Sequence, residues 1–378
     1  GLKKAFRGLF FYFIGNFKRQ ERDKMGITKQ SFGKSMDNQE VFLYSITNKN
    51  QMTITVTDFG ATLVQILVPN KDGNKIDVAL GYDTVEGYYK NPGHFGATIG
   101  RNGNRIKNAA FSINGKEYPL AVNDNVNNLH SGPNWYRTRV WNVTEIDEEK
   151  NAVTFCILSP DGDQGFPGNF TGYVTYELTD DNEIVLHYQG SADADTVVNM
   201  TNHSYFNLAG HHAGAEAMLN HTVQIFAPEY TPVSDSQAIP TGEILPVEGT
   251  PMDFTKPKKI GQDVEADFDQ LKFGGGYDHN YALSREKGEM KKAAEAFSEE
   301  SGIVMEVFTD LPGMQFYIGN FIEQEQGKDG CVYGKRGGFC METQYYPDAC
   351  NQAAFQSSVL KAGEKYDTTT IYKFSVRK

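Results

Sequence analysis

The stretch Thr171-Gly172-Tyr173-Val174-Thr175-Tyr176-Glu177-Leu178, the turn residues Thr179-Asp180-Asp181-Asn182, and Glu183-Ile184-Val185-Leu186-His187-Tyr188-Gln189 read together as a β-hairpin. Val174, Tyr176 and Leu178 on one arm, and Ile184, Leu186 and Tyr188 on the other, recur at every second position. That period places them on one face of a strand. The polar residues between the arms favour a turn over a continued strand.

The same pattern repeats outward. Met52-Thr53-Ile54-Thr55-Val56-Thr57 alternates, and Leu63–Pro69 and Lys75–Leu80 flank the turn Asn70-Lys71-Asp72-Gly73-Asn74. Phe111-Ser112-Ile113 and Lys116–Leu120 flank Asn114-Gly115, a strong hairpin signal. Lys291–Phe297 and Ile303–Thr309 bracket Glu299-Glu300-Ser301-Gly302, and the chain ends in the alternating segment Thr370–Val376. Helical pattern is scarce: Thr84–Tyr89, with Thr84 as N-cap, and Gly261–Phe268 are the two candidates. Hairpin-linked strands over this length imply an all-β fold, a large antiparallel β-sandwich with few short helices. Strands do not alternate with long helices, which disfavours a doubly wound parallel sheet. There is no internal period of a solenoid or propeller and no Pro/Gly/Ser linker after Phe32, so residues 25–378 read as a single domain.

Residues 1–24 differ. They mix Lys and Arg with Phe6, Leu9, Phe10, Phe11, Tyr12, Phe13 and Ile14, and Gly15 and Asn16 interrupt the apolar run. A targeting segment, a basic membrane-surface helix and an extension ahead of a start at Met25 all fit this composition; we adopt the extension. The net charge of −12 over 378 residues argues against nucleic acid, which rewards clustered Lys and Arg. No apolar run reaches the length of a membrane span. The four cysteines form no Cys-x-x-Cys pair, so free thiols in a reducing, cytoplasmic setting are expected.

Five polar segments stand out from the strands. Gly100-Arg101-Asn102-Gly103-Asn104-Arg105-Ile106 offers planar guanidinium donors; alone it equally describes an exposed glycine-rich turn. Asn127-Asn128-Leu129-His130-Ser131-Gly132 holds one histidine, a residue type more often structural than catalytic. Thr201-Asn202-His203-Ser204-Tyr205-Phe206-Asn207-Leu208 sets His203 among hydrogen-bonding and aromatic neighbours, suited to holding and tuning an imidazole. Gly274-Gly275-Gly276-Tyr277-Asp278-His279-Asn280 combines a tight backbone turn with a carboxylate that can accept from a polyol. In Gly338-Phe339-Cys340-Met341-Glu342-Thr343-Gln344, Glu342 follows an apolar half-strand; burial would raise its pKa, and a solvent-facing carboxylate is the alternative. No Gly-x-Ser-x-Gly elbow and no His-Glu-x-x-His occurs, and His211-His212 lacks the helical spacing of metal ligands. Nothing here motivates a metal site.

Taken in order, these segments, with Leu311-Pro312-Gly313-Met314-Gln315-Phe316-Tyr317, Glu342–Ala349 and the loop Ser159–Gly168, resemble the aldose 1-epimerases, the galactose mutarotase family. The resemblance runs from about Ile27 to the C-terminus. It implies a galactose mutarotase-like β-sandwich that interconverts the α and β anomers of free aldohexoses such as galactose and glucose. It implies His203 as general acid and Glu342 as general base, with His130 assisting at the sugar. Asn104, Arg105, Asp278 and Gln315 would bind hydroxyls. Gly103 stands where the family usually has Ala, and Ser131 where Gly is common; neither change removes a reacting group. No redox change or group transfer is implied, so no cofactor is expected; the partner is a small aldose sugar, and the protein would be a monomer or homodimer. Two other classes compete. A glycoside hydrolase or lyase would use two carboxylates, here Asp278 and Glu342, and leave His203 without a role. A non-catalytic sugar-binding module would not need both His203 and Glu342. A hexose 6-phosphate epimerase would want additional basic residues at the rim.

Overall fold

A computed structural model describes residues 25–283 and 288–378; the extension assigned to residues 1–24 lies outside them. The hairpin at 170–192 forms as read. Phe170–Leu178 pairs with Glu183–Ala192, and Val174, Tyr176 and Leu178 turn inward with Ile184, Leu186 and Tyr188. These arms lie within a nine-stranded antiparallel sheet. Its order is Asn142–Asp147, Ala152–Ser159, Phe170–Leu178, Glu183–Ala192, Lys365–Val376, Ile303–Thr309, Lys291–Phe297, Thr222–Ile225 and Lys258–Lys259. The C-terminal strand Lys365–Val376 inserts between the 183–192 and 303–309 strands, so the last residues of the chain complete the middle of the sheet.

The first five strands, Gly26–Lys34, Glu40–Thr47, Thr53–Thr57, Thr62–Pro69 and Lys75–Asp77, form a consecutive antiparallel meander. Its apolar face supplies Tyr44, Ile46, Ile54, Val56 and Ile66 to the same core as Phe155, Val174 and Tyr176. Tyr44 meets Phe155 edge to face at 5.8 Å. Each large side chain buried there contributes about 1.5–3 kcal/mol of transfer free energy.

A third sheet positions the site. Its order is Leu245–Pro246, Glu229–Tyr230, Asp278–Ala282, Gly313–Tyr317 and Cys340–Gln344. Every residue of the last three strands is buried, yet the two faces differ. One face carries Tyr281, Met314, Phe316 and Met341 into the core, where the Tyr372 hydroxyl donates to the Met341 carbonyl. The register pairs Asp278 with Tyr317 and Gln315 with Glu342, so the opposite face gathers Asp278, Gln315, Tyr317, Cys340 and Glu342. A period of two thus separates core from chemistry along the same strands.

The 291–297 and 303–309 strands appear with the expected bounds. At the Asn114-Gly115 turn both residues have positive φ, 52° and 78°, as a type I′ hairpin turn requires. Helices differ in detail. Val85–Lys90 is helical and Thr84 is its N-cap residue, but the Thr84 side chain makes no capping bond. Gly261–Phe268 is not a helix. Its backbone closes short turns, Ala266 N to Asp263 O and Phe268 N to Ala266 O, while Lys258 holds Asp263 at 2.8 Å. The helix begins one residue later, at Asp269–Gly274, and ends on Gly275 and Gly276, both at positive φ. Helical composition around 261–268 is overridden by local side-chain anchoring of the turn. All four cysteines are free thiols, and no helix among the described residues is long and apolar enough to cross a membrane.

Candidate active site

A cavity of about 440 Å³ opens over the polar face of the third sheet, within the range of small-ligand pockets. Its floor is Asp278, Gln315, Tyr317 and Glu342. Its wall comes from loops and the short strand Thr201–His203, and includes His94, Asn104, Arg105, His130, His203 and Tyr205. The seven residues that the family resemblance implied, Asn104, Arg105, His130, His203, Asp278, Gln315 and Glu342, therefore all line one cavity.

His203 sits on a strand paired with Ala97–Ile99. Its neighbours fix the turn: the Asn202 amide donates to the Gly96 carbonyl at 2.9 Å, and Asn202 Oδ1 accepts from the Ser204 backbone and hydroxyl. The ring stacks on Tyr205, with centroids 5.1 Å apart. His203 Nδ1 lies 3.6 Å from Cys340 Sγ, and Nε2 lies 3.6 Å from Glu342 Oε1. Glu342 Oε2 is buried without a partner among the described residues.

His130 is clamped from both sides of one residue. Its Nδ1 accepts from the Asn104 backbone N–H at 3.0 Å, and its own N–H donates to the Asn104 carbonyl at 2.9 Å. Because a backbone N–H can only donate, neutral His130 carries its proton on Nε2. Asn104 and His130 both hold positive φ, 57° and 53°, a conformation that costs on the order of 1 kcal/mol at a non-glycine residue. Ser131 also has positive φ and exchanges two 2.9 Å hydrogen bonds with the Asn102 backbone. At Gly103 an added Cβ would stand 3.1 Å from Thr201 Cγ2 and 3.2 Å from the Asn199 carbonyl.

The two arginines of the 100–106 segment part company. Arg105 lines the cavity and is oriented by Asp124 at 2.7 Å. Arg101 does not line the cavity. It is fully buried, with Nη1 donating to the Pro167 and Gly168 carbonyls and Thr196 Oγ1, and Nη2 to the Ser159 carbonyl and hydroxyl.

Electrostatics follow burial. Desolvation raises the Glu342 pKa well above the usual carboxylate range, the charge of Asp278 adds to this, and Arg105 opposes it. Desolvation lowers His203 to about 4. His130 is pushed well below 6.5 by burial and by His203, Arg105 and Arg137. Asp278 is raised by burial against Arg105 and a 2.8 Å hydrogen bond from Gln315. Nearest donor atoms of His130, His203 and Glu342 all lie within 4.8 Å of one another. Two imidazoles and a carboxylate are a set that can bind a divalent cation, and equally one that can exchange protons with oxygens held between them.

Several site residues escaped the sequence reading. Tyr205, Tyr317 and Cys340 stand two positions from His203, Gln315 and Glu342, so strand periodicity was a usable signal for them. His94, Asp124 and Arg137 carried none.

The aldose 1-epimerase family model matches residues 43–373. Galactose mutarotase of Pongo abelii is 43% identical over 326 residues, covering 86% of this chain and 92% of that protein. Aldose 1-epimerase of Escherichia coli K12 is 37% identical over 340 residues, covering 89% and 96%. The crystal structure of galactose 1-epimerase from Lactobacillus acidophilus superposes with a TM-score of 0.81 at 26% identity, covering 94% of this chain and all of that one. The fold and site define a β-sandwich sugar isomerase. The chain belongs to the aldose 1-epimerase family, enzymes that interconvert the anomers of aldoses.

Proposed function

We propose that this protein catalyses mutarotation of free aldohexoses such as galactose and glucose, with His203 and Glu342 as the proton-transfer pair. The observation that carries the assignment is the buried contact between His203 Nε2 and Glu342 Oε1 at 3.6 Å, over a cavity lined with hydroxyl-binding groups. Glu342 takes the proton of the C1 hydroxyl and His203 delivers one to the ring oxygen. The C1–O5 bond breaks, the C1 carbonyl forms, the C1–C2 bond rotates, and closure on the other face returns both protons.

The buried pair has a preferred proton placement. Carboxylate with imidazolium and carboxylic acid with neutral imidazole hold the same number of protons. Burial favours the second arrangement, raising Glu342 and lowering His203. That is the arrangement the pair reaches when the ring has opened, so desolvation favours proton transfer towards the aldehyde. Each transfer typically contributes about 10²–10⁴-fold. Asn104, Arg105, Asp278 and Gln315 hold hydroxyls, and His130 offers Nε2–H to a further oxygen.

Polarimetry on freshly dissolved α-galactose and α-glucose tests this. Enzyme should speed the approach to an unchanged final rotation in proportion to its concentration. No acceleration with either sugar, or release of nitrophenol from nitrophenyl glycosides in its place, would overturn the reading. The four free cysteines support a reducing, cytoplasmic setting.

A further inference from the structure

His94 has no part in the proton transfer, yet it forms one corner of a cluster of three imidazoles. Its ring centroid lies 5.0 Å from that of His130 and 5.7 Å from that of His203, on which it stacks. It lines the cavity. On its far side Arg137 Nε donates to His94 Nδ1 at 3.0 Å. Arg137 is itself buried and lies over the Trp135 ring at 4.4 Å, so the donor is fixed in place. A guanidinium only donates. The neutral His94 ring must therefore carry its proton on Nε2, a nitrogen that has no protein partner among the described residues and is not sealed from solvent. Burial first, then the neighbouring basic groups His130, Arg137 and His203, disfavour a proton on this ring and keep it neutral. His94 also holds a positive φ of 57°, which a β-carbon disfavours.

We propose that His94 is a substrate-binding residue, set by Arg137 as an Nε2–H donor, that takes the exocyclic C6 hydroxyl of the aldohexose. The choice of oxygen rests on the proton-transfer reading above. The ring oxygen at His203 has two carbon neighbours. C1 lies on the Glu342 side, over the sheet face that carries Asp278 and Gln315. His94 stacks on His203 from the loop wall, where the other neighbour, C5, and its hydroxymethyl arm belong. A pyranose anchored at O1 and O5 thus presents O6 to His94. The consequence is specificity: the site prefers hexoses over sugars that lack the C6 oxygen, because without it the Nε2–H loses its partner.

The test compares galactose with 6-deoxygalactose by polarimetry, using wild-type protein, His94→Phe and His94→Gln. Phenylalanine keeps a stacked ring but removes the donor, and glutamine restores an amide N–H. Wild-type kcat/KM should favour galactose by about fivefold or more, the range of a single neutral hydrogen bond. His94→Phe should lose most of that preference, through a raised KM for galactose and an almost unchanged value for the deoxy sugar. His94→Gln should recover part of it. Equal loss on both sugars would mean a structural role and overturn the proposal, as would an unchanged preference in His94→Phe. Absence of wild-type mutarotation with galactose would instead strike the proton-transfer reading, so the two failures are distinguishable.

Discussion

Nε2 of His203 stands 3.6 Å from Oε1 of Glu342, just beyond hydrogen-bond length, while Oε2 of the same carboxyl is buried with no partner among the described residues. The two groups are close enough to share one substrate oxygen-to-carbon unit and too far apart to satisfy each other. Removing either reacting atom should abolish most of the rate. Glu342→Gln and His203→Asn are each expected to lower kcat by about 10²-fold to 10⁴-fold or more, measured by polarimetry. Glu342→Gln should melt no lower than wild type near pH 8, because it replaces a costly buried acid with a neutral isostere. Near-normal turnover in either variant would refute the pair.

The pH profile should assign its limbs in an unusual sense. One proton on the pair is the working state, so rate falls when a second proton arrives or the only one leaves. With His203 lowered to about 4 and Glu342 raised, the acid limb reflects the imidazole and the alkaline limb the carboxyl, as macroscopic values of the pair. The acid limb of kcat/KM should move with temperature as an imidazole does and the alkaline limb should barely move. The opposite pattern would show that the carboxylate–imidazolium arrangement dominates in the free enzyme.

Arg105 lines the cavity and tunes its carboxyl groups. Its charge lowers the pKa of Glu342 and Asp278, so Arg105→Gln should raise KM and displace the alkaline limb upward. An unchanged limb with a raised KM would confine Arg105 to sugar binding.

Arg101→Met should behave differently from Arg105→Gln although the two arginines are four residues apart. It strips donors from the carbonyls of Ser159, Pro167 and Gly168, each buried acceptor costing about 1–3 kcal/mol when unpaired. A loss of at least about 3 kcal/mol in urea unfolding is expected, with near-normal KM in the folded fraction. Wild-type stability would contradict the structural assignment.

Buried neutral histidines make the fold acid-sensitive. His221 Nε2 accepts from the Leu208 N–H and Nδ1 faces the Ala217 carbonyl, and burial lowers its pKa to about 4. His203 is depressed similarly and His279 to about 3. Below pH 6.5 the unfolded chain binds these protons and the folded chain does not, so stability is full above about pH 6.5 and is lost as pH falls towards 4. Glu342 and Asp278, raised in the fold, contribute in the opposite sense. Thermal melts from pH 8 to 4 should show the fall, and His221→Gln should be less stable at pH 8 but lose less on acidification. A flat Tm over that interval would count against the buried neutral rings.

The strands were readable one at a time because half-buried strands must alternate, and the hairpins at 170–192, 110–119 and 291–309 carry their turn residues with them. The order of the motifs likewise singled out His203, Glu342, His130, Asn104, Arg105, Asp278 and Gln315, and the fold places all seven around one cavity. Alternation is silent about partners across the chain. Only the tertiary structure decided that Lys365–Val376 completes the middle of the nine-stranded sheet, that 261–268 turns instead of coiling, and that Arg101 is a strut while Arg105 meets the cavity. It also brought His94 and Arg137, separated by more than forty residues, into one hydrogen bond. Local sequence sets which way each side chain points along its strand. The proton positions and pKa values of the site come from desolvation and from neighbours distant in sequence, and those exist only once the sheets have packed.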